Sequence, residues 1–441
     1  MPVDTIFALA TPPGRSGVAV IRVSGGQAGA ILDAASVGPR PDPRRAVLRT
    51  LIDHEGGTLD RALVLWFPGP ASFTGEDCAE FHIHGGPAVM SGLIDRLLEL
   101  GGRPAEAGEF TRRAFEHGRM DLTEAEGLAD LIDSETPAQR QQALAQMNGV
   151  LRDLYEAWRA ELISVLAMIE GEIDFPDEDD VPDALATSAG SALEALIAAL
   201  SRHLDDNRRG ERIRKGFSIA IIGPPNTGKS SLLNAIAGRD AAIVTDIPGT
   251  TRDIVEVAMV LGGFAVTLAD TAGLRDTQDV IESEGVRRAL TRADSADLVV
   301  GVLDGSGPRN QDMTPVLEKS DIIVLGKSDL PRCLTLPDSR LVNAEVSAKT
   351  GSGVEALIES LTEKVHQQLG ASEAPALTRA RHRRKVGSAL EALRRAHDKL
   401  DFAELAGDDV RLAVRALEEL TGRIDVEEVL GEIFSRFCIG K

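Results

Sequence analysis

The stretch FSIAIIGPPNTGKSSLLNAIAG, residues 217–238, limits the fold more than any other part of the chain. An apolar run ends on a glycine, and GPPNTGKS carries two glycines and Lys-Ser at the spacing of a phosphate-binding loop. Such a loop works only between a strand and a helix, because its backbone N–H groups and the helix N-terminus together cradle phosphate. A strand feeding a helix in this way implies a parallel sheet with helices packed on it. Three further apolar runs, FAVTLAD, LVVGVLD and DIIVLG, follow at helix-length separations and read as buried strands of the same sheet. Residues 214–373 are expected to form this α/β domain.

The motifs that follow the loop come in an informative order. Lys229 neutralises β- and γ-phosphate charge, and Ser230 offers a hydroxyl to Mg²⁺. Asp270 ends an apolar strand where a carboxylate behind Mg²⁺ belongs, and Gly273 in DTAG can give an N–H to the γ-phosphate. GTTRD, from Gly249, lies between them and can supply a threonine to Mg²⁺. In GKSD, Asp329 can accept from the two adjacent N–H donors on a guanine edge, which adenine does not present. Ser347, Ala348 and Lys349 follow in the expected place. Together the set reads as a GTPase. Two positions depart from the usual pattern. Leu274 stands where many such enzymes carry a water-orienting glutamine, and leucine has no hydrogen bond to give. Gly326 stands where asparagine is usual ahead of Lys327, so guanine binding is expected to be weaker by one hydrogen bond, on the order of 1 kcal/mol.

The flanks differ in character, and no internal repeat is present. Residues 1–118 mix short β-like runs (VAVIRVSG, ALVLWFPG, CAEFHIHG) with Gly and Pro, and one helical stretch near Ser91–Leu100, so an α+β domain is expected. Leu144, Met147, Leu151, Leu154, Trp158, Leu162, Val165 and Ile169 form the apolar stripe of a long helix, ending near the solvated turn FPDEDD. A second helix spans about 184–204. Helices return at Val386–Leu400, Asp408–Leu420 and Val426–Phe437. The layout is then a helical domain, 119–213 and 374–441, interrupted by the α/β domain. A net charge of −21 argues against a general coater of nucleic acid, although a local basic patch can still bind RNA. Cys78, Cys333 and Cys438 are few, odd in number and widely spaced, which fits a reducing compartment with no disulfide framework and no zinc spacing. Without a signal-peptide pattern or a run of membrane-spanning length, a cytoplasmic protein with no membrane partner is expected.

Five segments carry a specific resemblance: DTIFALATPPGRSGVAVIRVSG near the start, FTGEDCAEFHIHGGP, GEFTRRAFEHGRMDLTEAEGLADLI, the pair GTTRD and DTAGL, and the final FCIGK. They resemble the bacterial and organellar tRNA-modification GTPases of the MnmE (TrmE) type along nearly the whole chain. The resemblance implies an N-terminal domain like the folate-binding aminomethyltransferases that forms a homodimer, a discontinuous helical domain, and an inserted Ras-like GTPase domain. It implies that, with a flavin- and NADH-using partner of the MnmG (GidA) type, the protein installs aminomethyl or carboxymethylaminomethyl groups at carbon 5 of the wobble uridine in certain tRNAs. A tetrahydrofolate derivative, in 5-formyl or methylene form, supplies the carbon.

The resemblance also implies residue roles. Asn226, Thr245, Thr250 and the carbonyl of Ile247 would hold K⁺, which takes the part an arginine finger plays elsewhere. Ser230 and Thr251 would hold Mg²⁺, and Glu282 would orient the water in place of the missing glutamine. Thr227, Gly228, Ser231, Asp246, Pro248, Thr271 and Ala272 complete the nucleotide contacts. Arg22, Glu80, Arg119 and Lys441 stand where the family contacts folate; Arg119 replaces the usual lysine and changes the donor geometry. The tail with Cys438 belongs near the folate and tRNA chemistry; a thiolate there is chemically able to add to a pyrimidine ring, which makes Cys438 a catalytic candidate whose role the resemblance does not specify. His82 and His84, on one side of a strand, lack a third metal ligand and read as structural. The basic segments RRGERIRK and TRARHRRKV, with Arg383 and Arg384, are either solvated helix faces or contacts for tRNA phosphate or the partner. Two other functions fit parts of the pattern: a stand-alone regulatory GTPase, as in ribosome assembly, and a folate-dependent transferase with a vestigial nucleotide domain.

Overall fold

A computed structural model describes residues 4–174, 184–238, 256–270, 293–307, 314–334, 336, 342–370, 375–424, 427–434, 437 and 440. The FPDEDD turn therefore lies outside the described residues. By contact the chain divides into two compact units. One comprises 1–129, 146–197 and 388–441; the other comprises 130–145 and 198–387.

The first unit holds a six-stranded sheet. Its strands are β1 (Ile6–Leu9), β2 (Ser16–Ser24), β3 (Val47–Ile52), β4 (Thr58–Phe67), β5 (Cys78–Gly85) and β6 (Arg103–Pro104), in the order β3-β4-β5-β2-β1-β6. All neighbours are antiparallel except β1 and β6. Alternation decides what each face carries. In β5, Ala79, Phe81 and Ile83 are buried with Leu93 and Leu97 of the helix Pro87–Glu99 and Ile31 and Leu32 of the helix Ala28–Ala35. Glu80, His82 and His84 project from the opposite face.

The helices correct one expectation. The apolar stripe does not run along a single helix. Gly149, at φ +86°, separates the helix Pro137–Met147 from Val150–Asp174. An L side chain rarely adopts that backbone conformation, so the glycine breaks the helix although the hydrophobic rhythm continues through it. Leu144 is left exposed, and Tyr155, not Leu154, is buried with Leu151, Trp158, Leu162, Val165 and Ile169. The later helices span Ala380–Asp398, Ala403–Thr421 and Glu427–Phe434.

The second unit holds another six-stranded sheet: β7 (Phe217–Ile222), β8 (Glu256–Leu261), β9 (Phe264–Asp270), β10 (Leu298–Asp304), β11 (Ile322–Gly326) and β12 (Val342–Glu345). The order is β12-β11-β10-β7-β9-β8, parallel except for β8. β7 is central and covered on both sides. Ile219 and Ile221 join one apolar cluster, Ala220 and Ile222 the other. This explains its unbroken apolar sequence. Parallel pairing brings the C-terminal ends of β7, β9, β10 and β11 to one edge, where ligands bind in sheets of this kind. Among the described residues, no helix is long and apolar enough to cross a membrane.

Candidate functional site

The nucleotide corner is built where β7 passes into the helix Lys229–Ala237. Gly223 has φ +155°, and a Cβ there would lie 2.2 Å from the carbonyl of Val302, so only glycine lets the loop cross β10. Asn226 turns left-handed at φ +60° and its side chain is exposed at the lip of the loop. Gly228, at φ +93°, starts the helix. Thr227 is buried, and its Oγ1 donates to the carbonyl of Pro224 at 3.0 Å. Lys229 is also buried, and its Nζ donates to the carbonyls of Gly223 and Pro224 at 3.0 and 2.8 Å. Its ammonium therefore lies folded under the loop, beside the N–H groups that would meet phosphate. Ser230 and Ser231 follow, exposed, on the first turn. Asp270 ends β9 with its backbone in register with Ile221, two residues before Gly223.

The base corner forms at the end of β11. Lys327 has φ +58°, and its Nζ pairs with Asp304 Oδ2 at 2.7 Å. Burial works to raise the Asp304 pKa, but hydrogen bonds from Lys327 and Ser306 outweigh it and hold the carboxyl below its ordinary value. Asp329 is exposed and accepts a 2.7 Å hydrogen bond from Ser347 Oγ. That bond, helped by its own backbone N–H and by the charges of Lys349 and Lys327, lowers the Asp329 pKa. Ser347 itself is buried, while Ala348 is half-buried and Lys349 exposed. The amide of Ser328 reaches the carbonyl of Val346 at 3.1 Å, tying the two base-binding segments together. Gly326 abuts the phosphate loop: a Cβ built on it would lie 3.0 Å from the carbonyl of Thr227. Thus Asn226 to Ser231, Asp270, Lys327, Asp329 and Ser347 to Lys349 gather at one edge of the sheet. Thr245, Asp246, Ile247, Pro248, Gly249, Thr250, Thr251, Thr271, Ala272, Gly273 and Glu282 lie outside the described residues.

A second corner forms on the open face of the N-terminal sheet. Arg22 and Glu80 are cross-strand partners on β2 and β5, with Arg22 Nε and Nη2 3.0 and 2.9 Å from Glu80 Oε1. The guanidinium carbon of Arg22 lies 5.4 Å from the centre of the Phe73 ring and 5.9 Å from that of Phe110. Arg119 is exposed, and its Cγ packs beside Gly75 on the same turn as Phe73. Gly440 is buried, with its Cα backed onto the carbonyl of Leu9 on β1, next to Ala8, the partner of Arg22 in the sheet. The C-terminal segment thus reaches this corner, although Cys438 and Lys441 lie outside the described residues. Sequence reading missed the two aromatic rings. Phe73 carried a signal, since it opens the segment that contains Glu80. His82 contacts Glu80, and His84 Nδ1 lies 2.8 Å from Asp60 Oδ1.

Five arginines of the basic segments make ties inside the second unit, which corrects their reading as solvated helix faces. Arg209 donates to the carbonyl of Leu369 at 3.0 Å, Arg212 pairs with Asp297 at 2.7 Å, and Arg214 donates to the carbonyl of Thr378 at 2.9 Å. Arg379 pairs with Asp130 at 2.7 Å. Arg383 is held by Asp206, by Glu211 at 3.1 Å and by the carbonyl of Leu204 at 2.6 Å. Arg384 beside it is exposed.

Residues 5–119 match the family described as the GTP-binding protein TrmE N-terminus, and residues 122–438 match the MnmE helical domain. The tRNA modification GTPase MnmE of Maricaulis maris is 62% identical over 439 residues, 99% of each chain. That of Phenylobacterium zucineum is 52% identical over 450 residues, covering 99% of this chain and all of its own. Among solved structures, the G domain of the T. maritima FeoB iron transporter is 27% identical and covers 33% of this chain and 97% of its own, with a TM-score of 0.23. Matched from end to end by these relatives, and by both domain families in order, the chain belongs to the tRNA modification GTPase MnmE family.

Proposed function

We propose that the chain is a K⁺-assisted GTP hydrolase. With a flavin- and NADH-using partner of the MnmG type, it installs aminomethyl or carboxymethylaminomethyl groups at carbon 5 of the wobble uridine of certain tRNAs. It acts as a homodimer through residues 1–118, and the helical segments 119–213 and 374–441 carry the nucleotide domain 214–373. The observation that carries this reading is the presence, in one chain of this family, of a phosphate loop closed over Lys229 and a separate Arg22–Glu80 pair reached by the C-terminal segment.

The residues fit the proposed ligands. Asp329, held ionised by Ser347, suits the paired N–H donors of guanine. Lys229 can exchange two loop carbonyls for phosphate oxygens without leaving its place. Asn226, exposed at its left-handed turn, has an amide oxygen to offer; with Thr245, Thr250 and the Ile247 carbonyl it would make an all-oxygen donor set suited to a hard cation. Ser230 and Thr251 offer hydroxyls for Mg²⁺. When bound, the two cations supply positive charge against the phosphate oxygens as the γ-phosphoryl departs. Glu282 orients the water that Leu274 cannot. In the second corner, Arg22 and Arg119 suit the carboxylates of a folate tail, Glu80 suits pterin N–H donors, and Lys441 and Cys438 would take part from the C-terminal motif. A tetrahydrofolate supplies the one-carbon unit there.

The test is steady-state GTP hydrolysis in K⁺ against Na⁺ at equal ionic strength, with Glu282→Ala alongside. Strong stimulation by K⁺ that is lost in the variant is the expected result. Equal rates in the two salts would remove the cation from the mechanism.

A further inference from the structure

We infer that His82 is a positioning residue of the folate corner, fixing the Glu80 carboxylate so that its remaining lone pair on Oε2 faces a pterin N–H donor. This rests on the folate reading above. Glu80 and His82 are two residues apart on β5 and project from one face, with Phe81 between them buried in the core behind. Arg22 occupies only Oε1 of Glu80, through two of its nitrogens. The other oxygen, Oε2, lies 3.2 Å from His82 Nε2. In the tautomer with its proton on Nε2, His82 donates to it.

The second contact matters because the last torsion of a glutamate is broad, not locked in a staggered well. A carboxylate gripped at one oxygen can still rock about that grip. Held at both oxygens, it presents a fixed plane. An ionised carboxylate has about four lone-pair sites; the two Arg22 nitrogens on Oε1 and His82 on Oε2 take three of them, which leaves one on Oε2 for a ligand N–H. The side chains of Arg22, Glu80 and His82 are 24%, 16% and 30% exposed, which leaves the corner open to a ligand yet shields it from bulk water. Packing at His82 is loose: its two cross-strand neighbours are Leu63, 44% exposed, and Val20, half-buried, so the imidazole closes no sealed core on this face.

The experiment is calorimetric titration of the full-length protein with 5-formyltetrahydrofolate, using wild type, His82→Ala and His82→Gln, with thermal unfolding of each. Loss of one charge-assisted hydrogen bond is expected to weaken binding about tenfold in His82→Ala. Glutamine keeps an N–H donor within reach of Glu80, so His82→Gln should stay within about threefold of wild type at the same unfolding temperature. Wild-type affinity in His82→Ala overturns the inference. So does equal weakening in both variants, because the hydrogen bond would then not be the cause. No binding by the wild type overturns the folate reading and takes this inference with it.

Discussion

Arg383 offers a sharp test of the idea that the basic segments hold the protein together. Replacing it with alanine removes one guanidinium from between Asp206 and Glu211 and leaves the carbonyl of Leu204 without its donor. The three side chains are 21%, 17% and 13% exposed. Removing one partner of a fully buried ion pair costs about 3–5 kcal/mol, because the charge left behind has lost its compensation. Partial access of water to this cluster reduces that to about 2–4 kcal/mol. For a unit of this size, such a loss lowers the unfolding temperature by very roughly 5–15 °C. Arg384→Ala is the matched control: one residue away and exposed, it should change stability by no more than about 0.5 kcal/mol. Differential scanning calorimetry of the two variants, repeated at high salt, reads the difference. The loss in Arg383→Ala should persist in salt, since partly buried pairs are weakly screened. If both variants unfold with the wild type and both weaken tRNA binding, Arg383 is a phosphate contact and the reasoning fails.

Two further outcomes follow from the nucleotide corner. Gly326→Asn should tighten GDP binding by roughly tenfold, because it restores the side-chain hydrogen bonds that glycine cannot make, with the Thr227 carbonyl, 3.0 Å from the new Cβ, giving way by a few tenths of an ångström. Unchanged or weaker binding in an equilibrium titration would mean that the close backbone contact there does not yield to a side chain. Ser347→Ala should make guanine nucleotide binding more sensitive to acid. The Asp329 carboxyl has a lowered pKa, so its charge is complete above the ordinary carboxylate value and is lost only as pH falls through the lowered one. Without the hydroxyl, the acid limb of the affinity profile moves to higher pH; a limb that stays put would show that Ser347 does not hold this charge.

The parts of the site legible in the sequence were those set by local spacing. The phosphate loop follows from residues a few positions apart, and β7 declared itself by an apolar run that only a strand covered on both faces tolerates. Gly149 was harder to read. The apolar rhythm continues across it, and one glycine costs a helix only about 1 kcal/mol, so periodicity outvoted the break. The role of Arg383 was invisible, because its carboxylate partners lie 172 and 177 residues away and a run of arginines looks the same whether it faces water or acid. Arg22 and Glu80, 58 residues apart, were found through the family resemblance, whereas the rings that flank Arg22 needed the fold.

The ties made by Arg209, Arg214 and Arg383 have a consequence for how such a protein can change over time. A Cβ on Gly210 would lie 2.5 Å from the carbonyl of Leu377, so the chain running toward β7 and the chain returning from the nucleotide sheet touch. Everything between them is a closed excursion with a common root. The entropic penalty of closing such an excursion grows slowly, by about 0.6 kcal/mol per doubling of its length. The root is also packed into the excursion, since Arg212 pairs with Asp297 and Ile213 joins the apolar cluster of the nucleotide sheet. Extra length in loops far from the root is therefore tolerated, whereas exchanging the whole excursion would strip Arg212 and Ile213 of their partners.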